Sequence, residues 1–153
     1  MAFMTRDRGP LPPVILLLSI LAQVALHRWF PAVTLLEPPI TYVGAALIAL
    51  GIASGAGPVI DFKRSETTVI PFKESSELVV SGMYKLSRNP MYLGMLLILL
   101  GVATLTGSLS PYLIAVLFVP ILNRRVIRHE EVMLEERFGD AYRRYIGQVR
   151  RWI

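Results

Sequence analysis

Two long stretches without a charged side chain constrain this chain more than any other feature of its sequence. Residues 40–60 and 90–106 contain no Asp, Glu, Lys or Arg and consist mostly of aliphatic residues and glycine. About 20 apolar residues in a helix cross the hydrocarbon core of a bilayer, and a helix satisfies its backbone polar groups internally. The sequence therefore predicts membrane-spanning helices.

Two further apolar stretches extend the prediction to four spans. Residues 12–30 end at Arg28 and Trp29, a combination typical of a membrane interface. Residues 111–127 contain Pro120, which we expect to kink the helix. With 54% hydrophobic residues and a mean hydropathy of +0.53, the 153-residue chain is predicted to be a single-domain, all-α membrane protein with about four transmembrane helices.

The polar segments between and after the spans carry their own signals. The connector, residues 61–89, is long for a simple link, and its β-prone run at 67–71 and glycine turn after residue 78 indicate an ordered segment along the membrane surface. The tail, residues 128–153, should continue the fourth helix to about Phe138. We expect Gly139 to end that helix and Asp140 to cap a short amphipathic helix whose tyrosines lie at the membrane interface.

Glycine and basic residues refine this arrangement. Gly51 and Gly55 have the small-xxx-small spacing that lets helix backbones approach closely in lipid. With four spans, all of the 16 Lys and Arg residues except Arg28 fall on one side, together with both termini. The positive-inside rule assigns that side to the cytoplasm.

Composition excludes several kinds of chemistry. The chain has no cysteine, which rules out disulfides, thiolate catalysis and Cys-ligated metals. Its two histidines, His27 and His129, are far apart in sequence, so a metal site would have to rest on carboxylates. We expect no metal and no nucleic-acid partner.

The octet Ser-Arg-Asn-Pro-Met-Tyr-Leu-Gly at residues 87–94 marks the start of the third span. Proline suits the first helical position, and the Asn89 side chain can cap the next free N–H groups. A helix N-terminus beside Arg88 can hold a carboxylate or phosphate. Tyr92 can pack on such a ligand, and Gly94 leaves room for one. Taken alone, the octet still favours an ordinary helix start with Arg88 as a positive-inside residue.

Three motifs in order resemble a known family. Arg-Asn-Pro-Met-Tyr-Leu-Gly at 88–94 is followed by Glu130-Glu131 and by Phe-Gly-Asp-Ala-Tyr-Arg-Arg-Tyr at 138–145. The set resembles bacterial members of the isoprenylcysteine carboxyl methyltransferase and phospholipid methyltransferase family of integral membrane methyltransferases. Asn89 stands where the eukaryotic carboxyl methyltransferases usually have histidine, which weakens the case for a prenylated cysteine acceptor.

The resemblance implies S-adenosylmethionine as the methyl donor, bound where the last two spans meet the tail. A carboxylate on the donor suits Arg88, and its ribose hydroxyls or ammonium suit Glu130 and Glu131. The residues expected to contact the cofactor are Tyr84, Arg88, Asn89, Pro90, Met91, Tyr92, Leu93, Gly94, His129, Glu130 and Glu131. The catalytic residue is unknown, with Glu131 and Tyr92 as candidates if the acceptor needs a base.

The acidic pair has a simpler alternative role. Glu130 and Glu131 can neutralise the arginines one turn before them in the fourth helix. Those arginines, Arg124, Arg125 and Arg128, are also the candidates for binding an acidic group on the acceptor.

The acceptor implied by the resemblance is an amphipathic molecule that enters from the lipid. The favoured function is an S-adenosylmethionine-dependent methyltransferase of the isoprenylcysteine carboxyl methyltransferase type, in a bacterial inner membrane with its active site on the cytoplasmic side. A phospholipid N-methyltransferase of the same family, a non-catalytic membrane assembly protein and a lipid-surface binder acting through the basic tail are alternatives. The oligomeric state stays open.

Overall fold

The computed structural model describes residues 11–64 and 78–153, and this part of the chain is all-α. Its six α-helices are α1 (Pro12–Trp29), α2 (Val43–Arg64), α3 (Pro90–Thr106), α4 (Ser110–Leu122), α5 (Arg128–Phe138) and α6 (Asp140–Gln148). Short turns of 3-10 helix lie at Ile40–Tyr42 and Gly82–Lys85, and one π-helical turn lies at Asn123–Ile127. These described residues form no β-strand, which confirms the predicted fold class.

The sequence predicted about four membrane spans, and three helical stretches within residues 11–64 and 78–153 are long and apolar enough to cross a bilayer: Pro12–Trp29, Ile40–Gly57 and Ser110–Phe138. The shorter apolar helix α3 has the bounds predicted for the third span. Only α2 differs noticeably, because it continues to Arg64 instead of ending at residue 60. The β-prone run at 67–71 lies outside the described residues.

Two pairs of glycines bring α2 and α3 into direct backbone contact. A Cβ atom on Gly51 would lie 2.6 Å from the carbonyl oxygen of Gly94, and one on Gly101 would lie 2.6 Å from that of Gly44. The backbone of Gly55 also lies in this contact, since a Cβ on Gly94 would be 3.0 Å from its nitrogen, but the contact does not require Gly55 to lack a side chain, because a Cβ there would meet nothing within 4 Å. The contact repeats every seven residues on both helices, so α2 holds the start of α3 rigidly.

The end of the molecule away from Arg88 is closed by loop contacts. The backbone N–H groups of Leu35 and Leu36 donate to the carbonyl of Gly107, at 2.8 and 3.1 Å, and His27 Nδ1 lies 2.8 Å from Ser108 Oγ. Gly107 has a φ of +70°, and a Cβ there would lie 2.5 Å from the Leu36 carbonyl oxygen. These bonds fix the turn that makes α3 and α4 antiparallel.

A packed core joins α1, α3 and the long fourth helix. Its buried members are Ile15, Tyr92, Leu99, Ala115, Phe118, Leu122, Val126 and Ile127. The fully buried Gln23 of α1 adds polar crosslinks, because its Nε2 donates to the carbonyls of Leu99 at 2.9 Å and Pro111 at 3.1 Å. Hydrogen bonds of this kind hold helices together in lipid. The core therefore sets α3 beside α5 at the other end of the bundle.

The fourth helix is continuous from Ser110 to Phe138, as predicted. Pro120 lies inside α4, and the π-helical turn Asn123–Ile127 follows it. Proline removes a backbone hydrogen bond, and π-turns are sites where helices change direction. The expected kink at Pro120 stays a prediction, but the irregular turn lies where α4 gives way to α5.

The junction between α5 and α6 corrects one detail. Gly139 ends α5 with a φ of +51°, as expected, but Asp140 is the first residue of α6 and makes no capping hydrogen bond. Its carboxylate instead lies 3.5 Å from Arg143 Nη1. Gly139 occupies the capping position of α6. The Asp140 carboxylate therefore does not cap the helix and instead forms a surface ion pair.

Candidate functional site

The start of α3 is fastened to the last residues of the chain. Asn89 does not cap the helix with its side chain; its Nδ2 donates to the carbonyl of Arg151 at 2.9 Å. Ser87 is fully buried, accepts from the Asn89 backbone N–H at 3.1 Å and donates to the same Arg151 carbonyl at 3.3 Å. The capping expectation for Asn89 was wrong because the C-terminal residues offer it a nearer acceptor. We call residues 149–152 the C-terminal strap.

An ionic cluster joins this helix start, α5 and the strap. Arg88 Nη1 lies 3.1 Å from Glu131 Oε1, and Arg151 donates from Nε and Nη2 to the two oxygens of Glu131 at 2.9 and 2.6 Å. The side chains of Arg88 and Glu131 are only 11% and 18% exposed. Such short bidentate bonds are the stronger kind of ion pair. The hydrogen bonds to Glu131 also raise the pKa of Arg151, so the guanidinium stays charged.

The simpler role for the acidic pair does not fit this geometry. Glu131 pairs with Arg88 and Arg151, whereas Glu130 accepts a 2.7 Å hydrogen bond from the Tyr92 hydroxyl. Neither glutamate therefore neutralises the arginines one turn earlier. Tyr92 is buried, so its bond to Glu130 links α3 to α5 inside the protein.

Two tyrosines of α6 close the cluster from the side of the tail. Tyr142 and Tyr145 are buried, and the Tyr145 hydroxyl donates to the carbonyl of Tyr84 at 2.7 Å. They are not the interfacial anchors that the sequence suggested, because their rings pack inward. Burial raises the pKa of Tyr145 to about 12, and burial with the nearby charge of Glu131 raises the pKa of Tyr142. Both stay neutral hydrogen-bond donors.

Further bonds hold the strap in place. The backbone N–H of Arg88 donates to the carbonyl of Arg150 at 3.0 Å, and Trp152 Nε1 donates to Asn123 Oδ1 at 3.2 Å. The strap thus contacts both the helix start and the π-turn. Of its two arginines, Arg151 carries the second positive charge of the cluster.

The other predicted site residues divide into three groups. Tyr84, Met91 and Leu93 are half-buried near the helix start. Pro90 and Gly94 are buried against α2, where Ser54 Oγ donates to the Pro90 carbonyl at 3.3 Å, so the missing side chain of Gly94 serves helix packing. His129 and the three arginines Arg124, Arg125 and Arg128 are exposed and outside the ionic cluster.

The sequence interpretation gave no site role to Ser87, Tyr145 or Arg151. Ser87 and Tyr145 lie within the quoted motifs and Arg151 follows them, and each makes a hydrogen bond at this junction. The only available signal was the paired arginines after α6, which are equally typical of a membrane-surface helix. No local spacing relates Arg151 to an acid twenty residues earlier.

One buried hydrogen-bond donor in the ionic cluster lacks a partner among the described residues. Arg88 Nε is buried and has no hydrogen-bond partner among the described residues. A buried donor without a partner is costly and rare in native proteins. Tyr142 lies beside the same guanidinium, which partly offsets the rise that burial causes in the tyrosine pKa, so an anionic group at this point would share Arg88 with Glu131 and Tyr142.

Comparison with known proteins identifies the family. The family model for phospholipid methyltransferases matches residues 39–141, which is more than half of the chain. This chain belongs to the phospholipid methyltransferase family. The recognition made from the three motifs is confirmed, and the matched region includes α2, α3, α4 and α5 with Arg88, Tyr92 and the acidic pair.

Relatives of this family member carry different names. An uncharacterized protein of Haemophilus influenzae is 44% identical over its whole length, which corresponds to 41% of this chain. A probable protein-S-isoprenylcysteine O-methyltransferase of Oryza sativa subsp. indica is 29% identical over 72% of this chain and 59% of its own length. The nickel-cobalt-cadmium resistance protein NccN of Alcaligenes xylosoxydans xylosoxydans is 24% identical over 91% of this chain and 61% of its own.

This chain thus spans about three fifths of the length of the rice and Alcaligenes relatives. No solved structure matches it.

Proposed function

We propose that this phospholipid methyltransferase family member transfers a methyl group from S-adenosylmethionine to an amphipathic acceptor held in the membrane. The donor would bind where the start of α3, the acidic end of α5 and the C-terminal strap meet. The observation that carries the proposal is the largely covered Arg88 side chain, 11% exposed, which is bonded to Glu131 and whose Nε has no partner among the described residues.

The chemical groups at this junction fit the donor. The free Nε of Arg88, beside the N-terminus of α3, suits the carboxylate of the methionine moiety. Glu130 accepts from Tyr92 through Oε1, and a carboxylate has a second oxygen that suits a ribose hydroxyl or the ammonium. Tyr84, Met91 and Leu93 are half-buried and suit the adenine ring.

The two glutamates then have different roles. Both oxygens of Glu131 already accept from guanidinium groups, so it orients Arg88 and Arg151 and is not free to take up a proton. We therefore propose that Glu131, one of the two candidate bases, is a positioning residue. The Tyr92–Glu130 pair is the better candidate for accepting a proton from an amine acceptor.

The donor supplies a methyl carbon already activated by a sulfonium. The protein's task is then to hold the acceptor in line and to exclude water, and such positioning is worth about 7–11 kcal/mol in favourable cases. The buried ionic cluster and the packed core provide rigid support for that positioning. A carboxylate acceptor needs no base, whereas an amine acceptor must lose a proton.

The name of the matching family and the name of one relative each suggest a class of acceptor. The family description points to a phospholipid amine, and the name of the rice relative points to an isoprenylcysteine carboxylate. The Tyr92–Glu130 pair favours the amine, because only that acceptor has a use for a base. Both acceptors carry long apolar chains and would reach the site from the lipid.

A methyl-transfer assay tests the proposal. Bacterial membranes that contain the protein are incubated with S-adenosylmethionine labelled in the methyl group, and lipids and proteins are then separated. We expect label in a lipid that carries an amine headgroup. Label in prenylated peptide alone would replace the phospholipid assignment, and no transfer to any added membrane acceptor would contradict the enzyme.

Membranes containing the Arg88→Ala variant provide the matched control, because the change should abolish labelling while the protein remains inserted. The comparison separates loss of the site from loss of the protein.

A further inference from the structure

A groove on the outer surface of the fourth helix lies outside the ionic cluster. It has a volume of about 390 Å³ and is lined by Leu117, Pro120, Ile121, Arg124 and Arg125. Its wall is mostly apolar at the level of α4 and ends in two guanidinium groups at the π-turn. We propose that this groove is a binding site for one anionic phospholipid, whose acyl chain lies on the apolar part and whose phosphate contacts the two arginines.

The charge of the groove is uncompensated. Arg124 and Arg125 are exposed and make no ion pair with any acidic group in the described residues. The nearest acidic residues in sequence, Glu130 and Glu131, are engaged by Tyr92 and by two other arginines. Two adjacent guanidinium groups at the end of an apolar helix attract a negatively charged headgroup, at about 1 kcal/mol for each basic residue near a membrane surface.

The local backbone explains why a groove exists at this point. Pro120 lies within α4 and removes a backbone N–H, and the helix changes to a π-turn at Asn123–Ile127. Leu117, Ile121, Arg124 and Arg125 follow the i, i+4, i+7, i+8 spacing of one helix face, so the two arginines line the same groove as the two aliphatic residues.

The position of the groove on a membrane-spanning helix indicates that a lipid would occupy it. Leu117 and Ile121 are 45% and 46% exposed on a helix that is long enough to cross a bilayer, so lipid chains are the solvent at this surface. The opposite face of the same helix packs into the core through Phe118 and Leu122. The groove is therefore separate from the Arg88–Glu131 cluster, and the proposal stands whether or not the protein transfers methyl groups.

Native mass spectrometry of the full-length protein in detergent tests this site. The probes are phosphatidylglycerol and phosphatidylcholine with the same acyl chains, together with glycerol phosphate as a headgroup without chains. We expect one phosphatidylglycerol per protein with a preference of about tenfold or more over phosphatidylcholine. The double variant Arg124→Gln/Arg125→Gln should lose that preference.

A charge-matched control separates the groove from general attraction. The double variant Arg137→Gln/Arg144→Gln removes the same charge from exposed positions that do not line the groove, and it should keep the preference. Ile121→Trp should fill the groove and lower phosphatidylglycerol binding without changing charge.

Three results would overturn the site: equal loss in both double variants, equal binding of the two lipids, or binding of glycerol phosphate as tight as that of the lipid. Thermal melting of each variant checks that the fold is kept.

Discussion

The guanidinium group of Arg151 holds both carboxylate oxygens of Glu131, at 2.9 and 2.6 Å, although twenty residues separate them in the chain. This pair makes the C-terminal strap part of the same structure as the start of α3, because Arg88 bonds to the same carboxylate. The end of the chain is therefore a component of the candidate site rather than an appendage at the membrane surface.

Removing the shared carboxylate should destabilise the site end of the protein. Glu131→Gln leaves Arg88 and Arg151 facing each other without a counter-charge, and a broken buried ion pair costs about 3–5 kcal/mol. Because Arg151 is 35% exposed, we expect a smaller loss, about 1–3 kcal/mol. The measurement is the free energy of unfolding in detergent. Arg143→Ala, which breaks a solvent-exposed pair with Glu135, is the control and should unfold like the wild type.

The glycine contacts between α2 and α3 give a second prediction. Gly51→Ala places a Cβ atom 2.6 Å from the Gly94 carbonyl oxygen and should destabilise the protein by about 1–3 kcal/mol, because backbone must move. Gly55→Ala, four residues away on the same helix, places its Cβ in open space and should be neutral or stabilising by up to about 1 kcal/mol. Denaturation of both variants in detergent measures the difference; equal stability would refute the glycine contact.

The proposed orientation can be tested with single cysteines, since the chain has none of its own. Gly147→Cys lies at the exposed end of α6, and Phe30→Cys lies at the opposite end of the bundle. In intact bacterial cells, a membrane-impermeant maleimide should label the cysteine at 30 and spare the one at 147. The reverse pattern would place the ionic cluster outside the cytoplasm and would refute the orientation drawn from the basic residues.

The Tyr92–Glu130 hydrogen bond gives a prediction about chemistry. Tyr92→Phe keeps the ring in the core but removes the hydroxyl that donates to Glu130. A hydrogen bond to a charged group is worth about 1.5–3 kcal/mol, so we expect methyl transfer to an amine acceptor to fall by about tenfold or more. A wild-type rate with the phospholipid acceptor would exclude the pair from proton transfer.

Local signals in the sequence predicted most of the helix boundaries. Pro90 begins α3 and Gly139 ends α5 because a proline at the first helical position and a glycine with positive φ act within one turn. The apolar stretches similarly determined the spans, since their length is set by the membrane and not by partners.

Contacts between distant segments could not be predicted in this way. The spacing of Gly51 and Gly55 indicated close packing, but only the position of α3 shows that Gly44 is the second contact. We expected Asn89 to cap its own helix. The residues near Asn89 in sequence give no indication that its partner is the Arg151 carbonyl. The family motifs brought Arg88 and the acidic pair into one hypothesis, and Arg88 and Glu131 do form an ion pair, whereas the strap carries no motif of its own.

Calorimetric titration of the purified protein with S-adenosylhomocysteine, the demethylated product of the donor, tests the central claim most directly. We predict saturable binding to the wild type and an affinity lower by about tenfold or more in Arg88→Ala, because a charge-assisted hydrogen bond is lost. The exposed Arg144→Ala should bind like the wild type. No binding to the wild type at millimolar concentration, or equal affinity in Arg88→Ala, would contradict a donor site at the start of α3.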